Sequence, residues 1–344
     1  MQRNSLTSAV AQGVRYDVTE TPRPKVTIAI SAYNEQNNIG HVLESLLEQR
    51  LPFDYEIVVV SDGSTDLTAS IVREVSKANP IVRLYCHPSR RGRTQAINTI
   101  FQEMRGEFLV VVAADTLLCG GGVAHIVEKL SEPTVGMCWS RLVPIDDRLN
   151  LATMLGHLFF QLHHRLSSRL DAANELVHVT GDVVSMRKEL CTQIRGDCVN
   201  ADEYLAIRAV RMGYRVKYIH SILYLAAIPT TVIDYVNQRR RWFYGHLQIG
   251  KISGKYPTVL EFILFRKPLL ALSVVVEVLS DGLSDIPYFL AGLLLELLVV
   301  ALVFLDILLK KEHSPWQIIK STKRALTNVA RSYGTSAQSC PAVG

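Results

Sequence analysis

The sequence predicts an α/β fold, built on a mainly parallel sheet and carrying a membrane-attachment region toward its C-terminus. Three observations lead there. Continuous apolar runs of strand length alternate with amphipathic helical patterns in the first third of the chain, as in parallel sheets covered on both faces. Polar clusters follow the first, second and fourth runs, at the carboxyl ends of strands where such sheets bind ligands. From Leu269 to Leu309 there is no Lys or Arg, so the apolar excess is concentrated rather than spread.

Taken in order, residues 1–24 are polar, contain Pro22 and Pro24, and read as an N-terminal arm. Val26 to Ile30 is a β-branched run of strand length, followed by Ser31-Ala32-Tyr33-Asn34-Glu35. Ile39, Val42, Leu43, Leu46 and Leu47 then fall on one helical face. Glu56 to Val60 is a second strand, ending in Ser61-Asp62-Gly63-Ser64-Thr65-Asp66, with a helix from Ala69 to Ala78. Ile81 to Cys86, Thr94 to Met104 and Phe108 to Val112 read as strand, helix and strand, the last ending in Ala113-Ala114-Asp115-Thr116. Val135 to Trp139 is a further short strand, and Leu149 to Leu170 an amphipathic helix suited to a membrane interface. Glu203 to Met212 reads as a helix, Arg215 to His220 as a strand, and Val232 to Ile249 as a helix carrying Arg239-Arg240-Arg241-Trp242.

The composition narrows the function. With 344 residues, 48% of them hydrophobic, 20% charged, and a mean hydropathy of +0.17, the chain is neither disordered nor of average soluble composition. A net charge of +5 is too mild for a nucleic-acid binder and suits a membrane surface or a phosphate-bearing ligand. The N-terminus lacks an apolar signal-peptide core. The cysteines form no CxxC or metal-ligand spacing and read as reduced thiols, and His163-His164 as core or interfacial residues.

Ile286 to Leu309 is long enough to span a bilayer, which needs ~20 mainly apolar residues. Ahead of it lie apolar Pro268 to Leu279 and a turn-like, acidic Ser280 to Asp285. One span and a two-helix hairpin are both compatible. Arg266-Lys267 before the segment and Lys310-Lys311 after it favour the hairpin, with both ends cytoplasmic. The expected organisation is an arm (1–24), an α/β domain that includes the interfacial helix (25–250), a membrane-attachment region (251–311) and a basic amphipathic tail (312–344).

The chemistry resides in carboxylates and cations. Neither GxGxxG nor GxxxxGK[ST] is present. Asp62, Asp115 and Asp202 stand beside predicted strand ends or helix starts, accompanied by Arg90, Arg91, Arg93, Gln238 and Arg241. Carboxylates suit a hard divalent metal, and arginines suit a diphosphate. Singly, each such residue is as well explained as a cap, a turn or a solvated charge.

In this order, SAYNE (31–35), SDGSTD (61–66), RRGRTQAIN (90–98), AAD (113–115), ADEYLAIRAVRMGYR (201–215) and QRRRW (238–242) resemble the inverting nucleotide-sugar glycosyltransferases of family 2. The last motif points to the cellulose-synthase-like branch. The resemblance covers about Lys25 to Ile249 and implies a GT-A fold, a nucleotide-sugar donor (GDP- or UDP-hexose) and Mg2+ or Mn2+. It implies that Ala32, Tyr33, Glu35 and Ala114 line the donor site, that Asp62 faces the base, and that Arg93 meets the donor phosphates. By the same comparison Asp115 binds the metal, Asp202 is the general base, and Gln238, Arg241 and Trp242 shape the acceptor entrance and steady the diphosphate. Two positions depart from the family pattern: Ala113 replaces the first Asp of Asp-x-Asp, and Ala201 replaces the Glu before the base.

A small membrane region cannot by itself enclose a polymer-conducting pore. The favoured function is therefore transfer of a single hexose, with mannose from GDP-mannose preferred, to a lipid-linked acceptor at the cytoplasmic face. A processive polysaccharide synthase using a UDP-sugar and a non-catalytic sugar-nucleotide sensor are the alternatives.

Overall fold

The computed structural model describes residues 24–144 and 150–253. Its first half follows the apolar runs. Strands β1 (Val26–Ala32), β2 (Tyr55–Ser61), β3 (Val82–Cys86) and β4 (Phe108–Ala113) lie parallel in the spatial order β3-β2-β1-β4. Alternate residues serve opposite faces, as the two-residue period of a strand requires. Ile28, Ile30, Ile57 and Val59 pack on one side with Ile39, Val42, Leu43 and Leu46 of helix α1 (Ile39–Leu47) and Val72 of α2 (Thr68–Ala78). Ala29, Val58 and Val60 pack on the other with Ala96, Ile97 and Ile100 of α3 (Arg93–Glu103). Both faces are covered, which is why these strands read as unbroken apolar runs.

Beyond β4 the sheet becomes mixed, which corrects the mainly parallel expectation for this half. The remaining elements are β5 (Thr116–Leu118), α4 (Gly122–Leu130), β6 (Val135–Pro144), α5 (Leu151–Ala172), β7 (Val183–Arg187), α6 (Ala201–Arg211), β8 (Arg215–Ala226) and α7 (Val232–Ser253). The full order is β3-β2-β1-β4-β7-β6-β8-β5. β7 runs antiparallel to both β4 and β6, β6 is parallel to β8, and β5 is antiparallel to β8. Strands β5 and β7 are too short for a period to emerge, whereas helix α4 does carry one, with Val123, Ile126, Val127 and Leu130 buried on one face, and is an addition to the expected elements. β6 and β8 both continue well past their expected ends, pairing to Pro144 and Ala226.

The expected interfacial helix is α5. It starts at Leu151 because Asn150 and Thr153 close a capping box, each side chain accepting the other's backbone N–H at 3.1 Å. Ala152, Leu155, Leu158, Leu166 and Leu170 of this helix are buried. His163 is half-buried against Trp139, with ring centroids 5.0 Å apart, and His164, also half-buried, bonds the Tyr218 hydroxyl at 2.6 Å, so both pack inside the protein rather than binding a metal. Among the described residues no helix is long and apolar enough to cross a membrane. The expected hairpin at 268–309, the tail, and the arm up to residue 23 lie outside the described residues.

Candidate functional site

The site lies at the carboxyl ends of β1, β2 and β4, beside α6 and the α7 helix packed on it. One wall is two loops stitched together. After β1, the Asn34 side chain accepts from the Thr65 N–H at 2.8 Å, and the Glu35 N–H donates to Thr68 Oγ1 at 2.8 Å. Asn34 adopts φ 55°, a left-handed conformation that Asn tolerates better than most residues. Ala32 is buried at the end of β1, and Tyr33 lies under the Arg90 guanidinium, 4.1 Å from the ring centroid.

Asp62 has a role that its sequence neighbours did not reveal. Its carboxylate accepts from the Arg91 N–H at 2.9 Å and the Gly92 N–H at 2.7 Å, and bonds His87 Nδ1 at 2.8 Å. The chain closes tightly here: a Cβ on Gly63, at φ +68°, would stand 2.3 Å from the Arg90 nitrogen. Only a residue without that atom lets the two loops touch. Asp62 thus shapes the loop that delivers Arg93 to the first turn of α3.

Glu35 is half-buried and accepts from Asn38 Nδ2 at 2.9 Å. Burial pushes its pKa up to about 7, opposed by the Asn38 bond and assisted by the charges of Asp115 and Asp66.

The other wall carries the charges. Arg93 reaches across the cleft to donate to the Gly181 carbonyl. Asp115 follows β4, after the buried Ala114, and is half-buried. Burial raises its pKa, while its own backbone N–H, Arg93, Thr116 and Arg241 lower it in part. Asp202 sits in the first turn of α6, where the helix dipole favours a carboxylate. A Cβ on Gly181 would lie 2.7 Å from Asp202 Oδ2 and 3.1 Å from an Arg93 guanidinium nitrogen, so both side chains meet over that glycine. Apolar Ile97, Val111, Val184, Met186 and Leu205 line the cavity with Arg93 and Asp202. An apolar lining strengthens any electrostatic interaction above it.

Arg241 completes the set because α7 is fastened to the chain before α6. Gln248 accepts from the Val199 N–H at 2.8 Å and donates to the Asp197 carbonyl at 2.7 Å. Asn200 donates to the Trp242 carbonyl at 3.2 Å, and His246 bonds the buried Glu203 carboxylate at 2.6 Å. Burial and Arg93 lower the Arg241 pKa, while Asp202, Asp182 and Asp115 raise it. The other conspicuous residues of QRRRW diverge. Arg239 is buried in an aromatic cage, 3.5 Å from the Phe159 centroid and 4.6 Å from those of Tyr235 and Trp242. Trp242 therefore packs toward α5, and Gln238 is half-buried on α7.

The structure thus brings Arg93, Asp115, Asp202 and Arg241 into one electrostatic neighbourhood, and adds Asp182, which the sequence reading missed. Burial raises the Asp182 pKa to about 6, with Asp115 and Asp202 adding to the rise and Arg93 and Arg241 opposing it. The available signal was Thr180-Gly181-Asp182 directly ahead of an apolar strand.

The residues present fit a divalent cation in one specific way. Among the described residues no group of three or more His, Cys, Asp or Glu could hold a metal alone. Carboxylates flanked by two guanidiniums suit a cation that takes its remaining ligands from phosphate oxygens, as Mg2+ commonly does.

Comparison with known proteins bears on the same segment. Residues 27–194 match the family model described as glycosyl transferase family 2. An N-acetylglucosaminyltransferase of Rhizobium meliloti is 23% identical over 239 residues, covering 65% of this chain and 56% of the relative. A poly-beta-1,6-N-acetyl-D-glucosamine synthase of Staphylococcus aureus is 22% identical over 247 residues, covering 67% of this chain and 58% of the relative. The chain therefore spans little more than half the length of these curated relatives. A mannosyltransferase from Pyrobaculum calidifontis, solved in complex with GDP-Man and Mn2+, superposes with a TM-score of 0.57 at 24% identity, covering 91% of this chain and 84% of the other. That likeness establishes the fold.

Proposed function

We propose that this chain, whose residues 27–194 match the family model described as glycosyl transferase family 2, moves one hexose from a nucleotide sugar to a lipid-linked glycan acceptor, with inversion. GDP-mannose is the favoured donor. The observation that carries the reading is the convergence of Arg93 and Arg241 with Asp115 and Asp202. In this reading the guanidiniums draw in the donor diphosphate and stabilise the charge that develops on it. Asp202 takes the proton of the acceptor hydroxyl as the glycosidic bond forms, a contribution of ~10²–10⁴-fold for such bases. Asp115 would hold Mg2+ or Mn2+, which supplies Lewis-acid stabilisation of the departing diphosphate when bound. Ala32, Tyr33, Glu35, Asp62 and Ala114 would form the nucleotide side, and Gln238 and Trp242 the acceptor side.

GDP-mannose is supported by the ligand bound in the Pyrobaculum calidifontis mannosyltransferase. Placement at the cytoplasmic face of a membrane rests on the apolar segment of Ile286 to Leu309 and its flanking cations. A second reading, a processive enzyme using UDP-N-acetylglucosamine, is favoured by the names of the curated relatives. Thermal-shift screening of GDP- and UDP-sugars with Mn2+ separates them, because a donor at 100 times its Kd adds ~2.7 kcal/mol of stability. The proposal expects GDP-mannose to stabilise most, and a radiolabelled donor to yield a single-sugar lipid product. UDP-N-acetylglucosamine as the best ligand, with long polymer as product, would overturn it in favour of the second reading. Donor binding without transfer would mark a sensor.

A further inference from the structure

Position 113 is an alanine where the family pattern of Asp-x-Asp has its first carboxylate, and the sheet places another carboxylate directly beside it. Strands β4 and β7 pair antiparallel with Val112 opposite Val183. The next pair outward is Ala113 and Asp182, joined by the Ala113 N–H donating to the Asp182 carbonyl at 2.8 Å. Directly opposed residues of an antiparallel ladder project from the same sheet face, with Cβ atoms about 4.5–5.5 Å apart. A carboxylate carried at 182 therefore starts one strand spacing from where a side chain at 113 would start, on the same side of the sheet.

Its surroundings agree. Asp182 is half-buried and shares an electrostatic neighbourhood with Asp115, Arg93, Asp202 and Arg241. Among the described residues no hydrogen bond to its carboxylate is formed. Contrast Asp62, whose carboxylate is taken up by its own loop. A carboxylate left without such donors, in the neighbourhood of a second carboxylate, suits a cation.

We propose that Asp182 supplies from β7 the metal-binding carboxylate that Ala113 lacks on β4, so that Asp115 and Asp182 together bind the divalent cation of the donor complex. This rests on the donor reading above. The strand ladder moves the ligand sideways while leaving the sheet face and the cleft unchanged.

The test measures Mn2+ uptake by the full chain, by electron paramagnetic resonance of Mn2+ with saturating GDP or UDP. Asp182→Asn keeps the shape of the side chain and removes its charge. Its Mn2+ affinity should fall at least tenfold, and Ala113→Asp placed in the Asp182→Asn background should restore it. That rescue separates ligand loss from misfolding, since a fold damaged at 182 would not be repaired by a charge at 113. Equal Mn2+ affinity in wild type and Asp182→Asn would overturn the proposal while leaving the donor reading intact, as would an Asp182→Asn loss that Ala113→Asp cannot restore. Absence of Mn2+–nucleotide binding by the wild type would overturn both.

Discussion

Asp62 and Asp115 both follow parallel strands, yet the two halves of the molecule use them in opposite ways. In the β3-β2-β1-β4 half, Asp62 is 3% exposed and its carboxylate is committed to Arg91, Gly92 and His87. In the mixed half, Asp115, Asp182 and Asp202 face Arg93 and Arg241 across a cleft and influence one another through space. The first arrangement is satisfied without a ligand. The second leaves burial raising Asp115 and Asp182 and lowering Arg241, a cost that a bound cation and diphosphate would offset. Substitutions in the first half should therefore register as lost stability, and those in the second as lost turnover.

The sharpest test of that division is Asp202→Asn. If Asp202 is the base, kcat should fall by about 10²–10⁴-fold, while calorimetric donor affinity and Tm change little. Turnover near the wild-type rate would remove the base from this half of the site. The converse is Asp62→Ala, which strips the acceptor from the part-buried N–H of Arg91 and the buried N–H of Gly92. Unfolding in urea should show a loss of about 2–4 kcal/mol. Donor affinity should fall secondarily, as the start of α3 loosens. An unchanged urea midpoint would mean that the Asp62 contacts are not what holds the loop.

Gly181→Ala probes how tightly the mixed half is arranged. The added Cβ would crowd Asp202 Oδ2 and the Arg93 guanidinium. Both are ends of flexible side chains, so the fold can yield, and in the proposed mechanism the geometry of the cleft cannot. Expected are a roughly tenfold fall in kcat, in keeping with the sensitivity of catalysis to small misplacements, and a Tm close to wild type. A large Tm loss with kcat preserved would reverse the assignment of this glycine.

The same division decided what the sequence made legible. Strands covered on both faces are apolar throughout, so Val26–Ala32, Tyr55–Ser61 and Phe108–Ala113 could be located to within a residue or two. The SAYNE, SDGSTD and RRGRTQAIN segments come together because the strands they follow, β1, β2 and β3, are neighbours in the sheet. In the mixed half, β5 has three residues and β7 five, too short for a period to emerge. Asp182 was hidden for a related reason. Its significance comes from standing opposite Ala113 in a ladder that joins distant parts of the chain, and no local pattern records that pairing. QRRRW was visible as a motif, but its division into a cleft-facing Arg241 and a caged Arg239 depends on α5 supplying Phe159.

Glu35 lies on the seam between the two halves, and its titration offers the finest measure of how they differ. Its backbone is tied to the β2–α2 loop through Thr68, and its side chain accepts from Asn38, yet its carboxyl feels the charge of Asp115. Burial first, and that charge after it, hold the proton on the folded carboxyl up to about 7, against 4.5 as the ordinary value. Between these pH values the folded chain binds more protons at this position than the unfolded chain. The contribution is fully present below pH 4.5 and is lost as pH rises through 7. Glu35→Gln, which has no such proton to lose, should flatten the fall in ligand-free stability over this window and gain on the order of 1 kcal/mol at pH 8. Denaturant titrations at a series of pH values measure it. A wild-type stability curve that is parallel to the variant's throughout would mean that Glu35 ionises freely and that Asp115 does not reach across the seam.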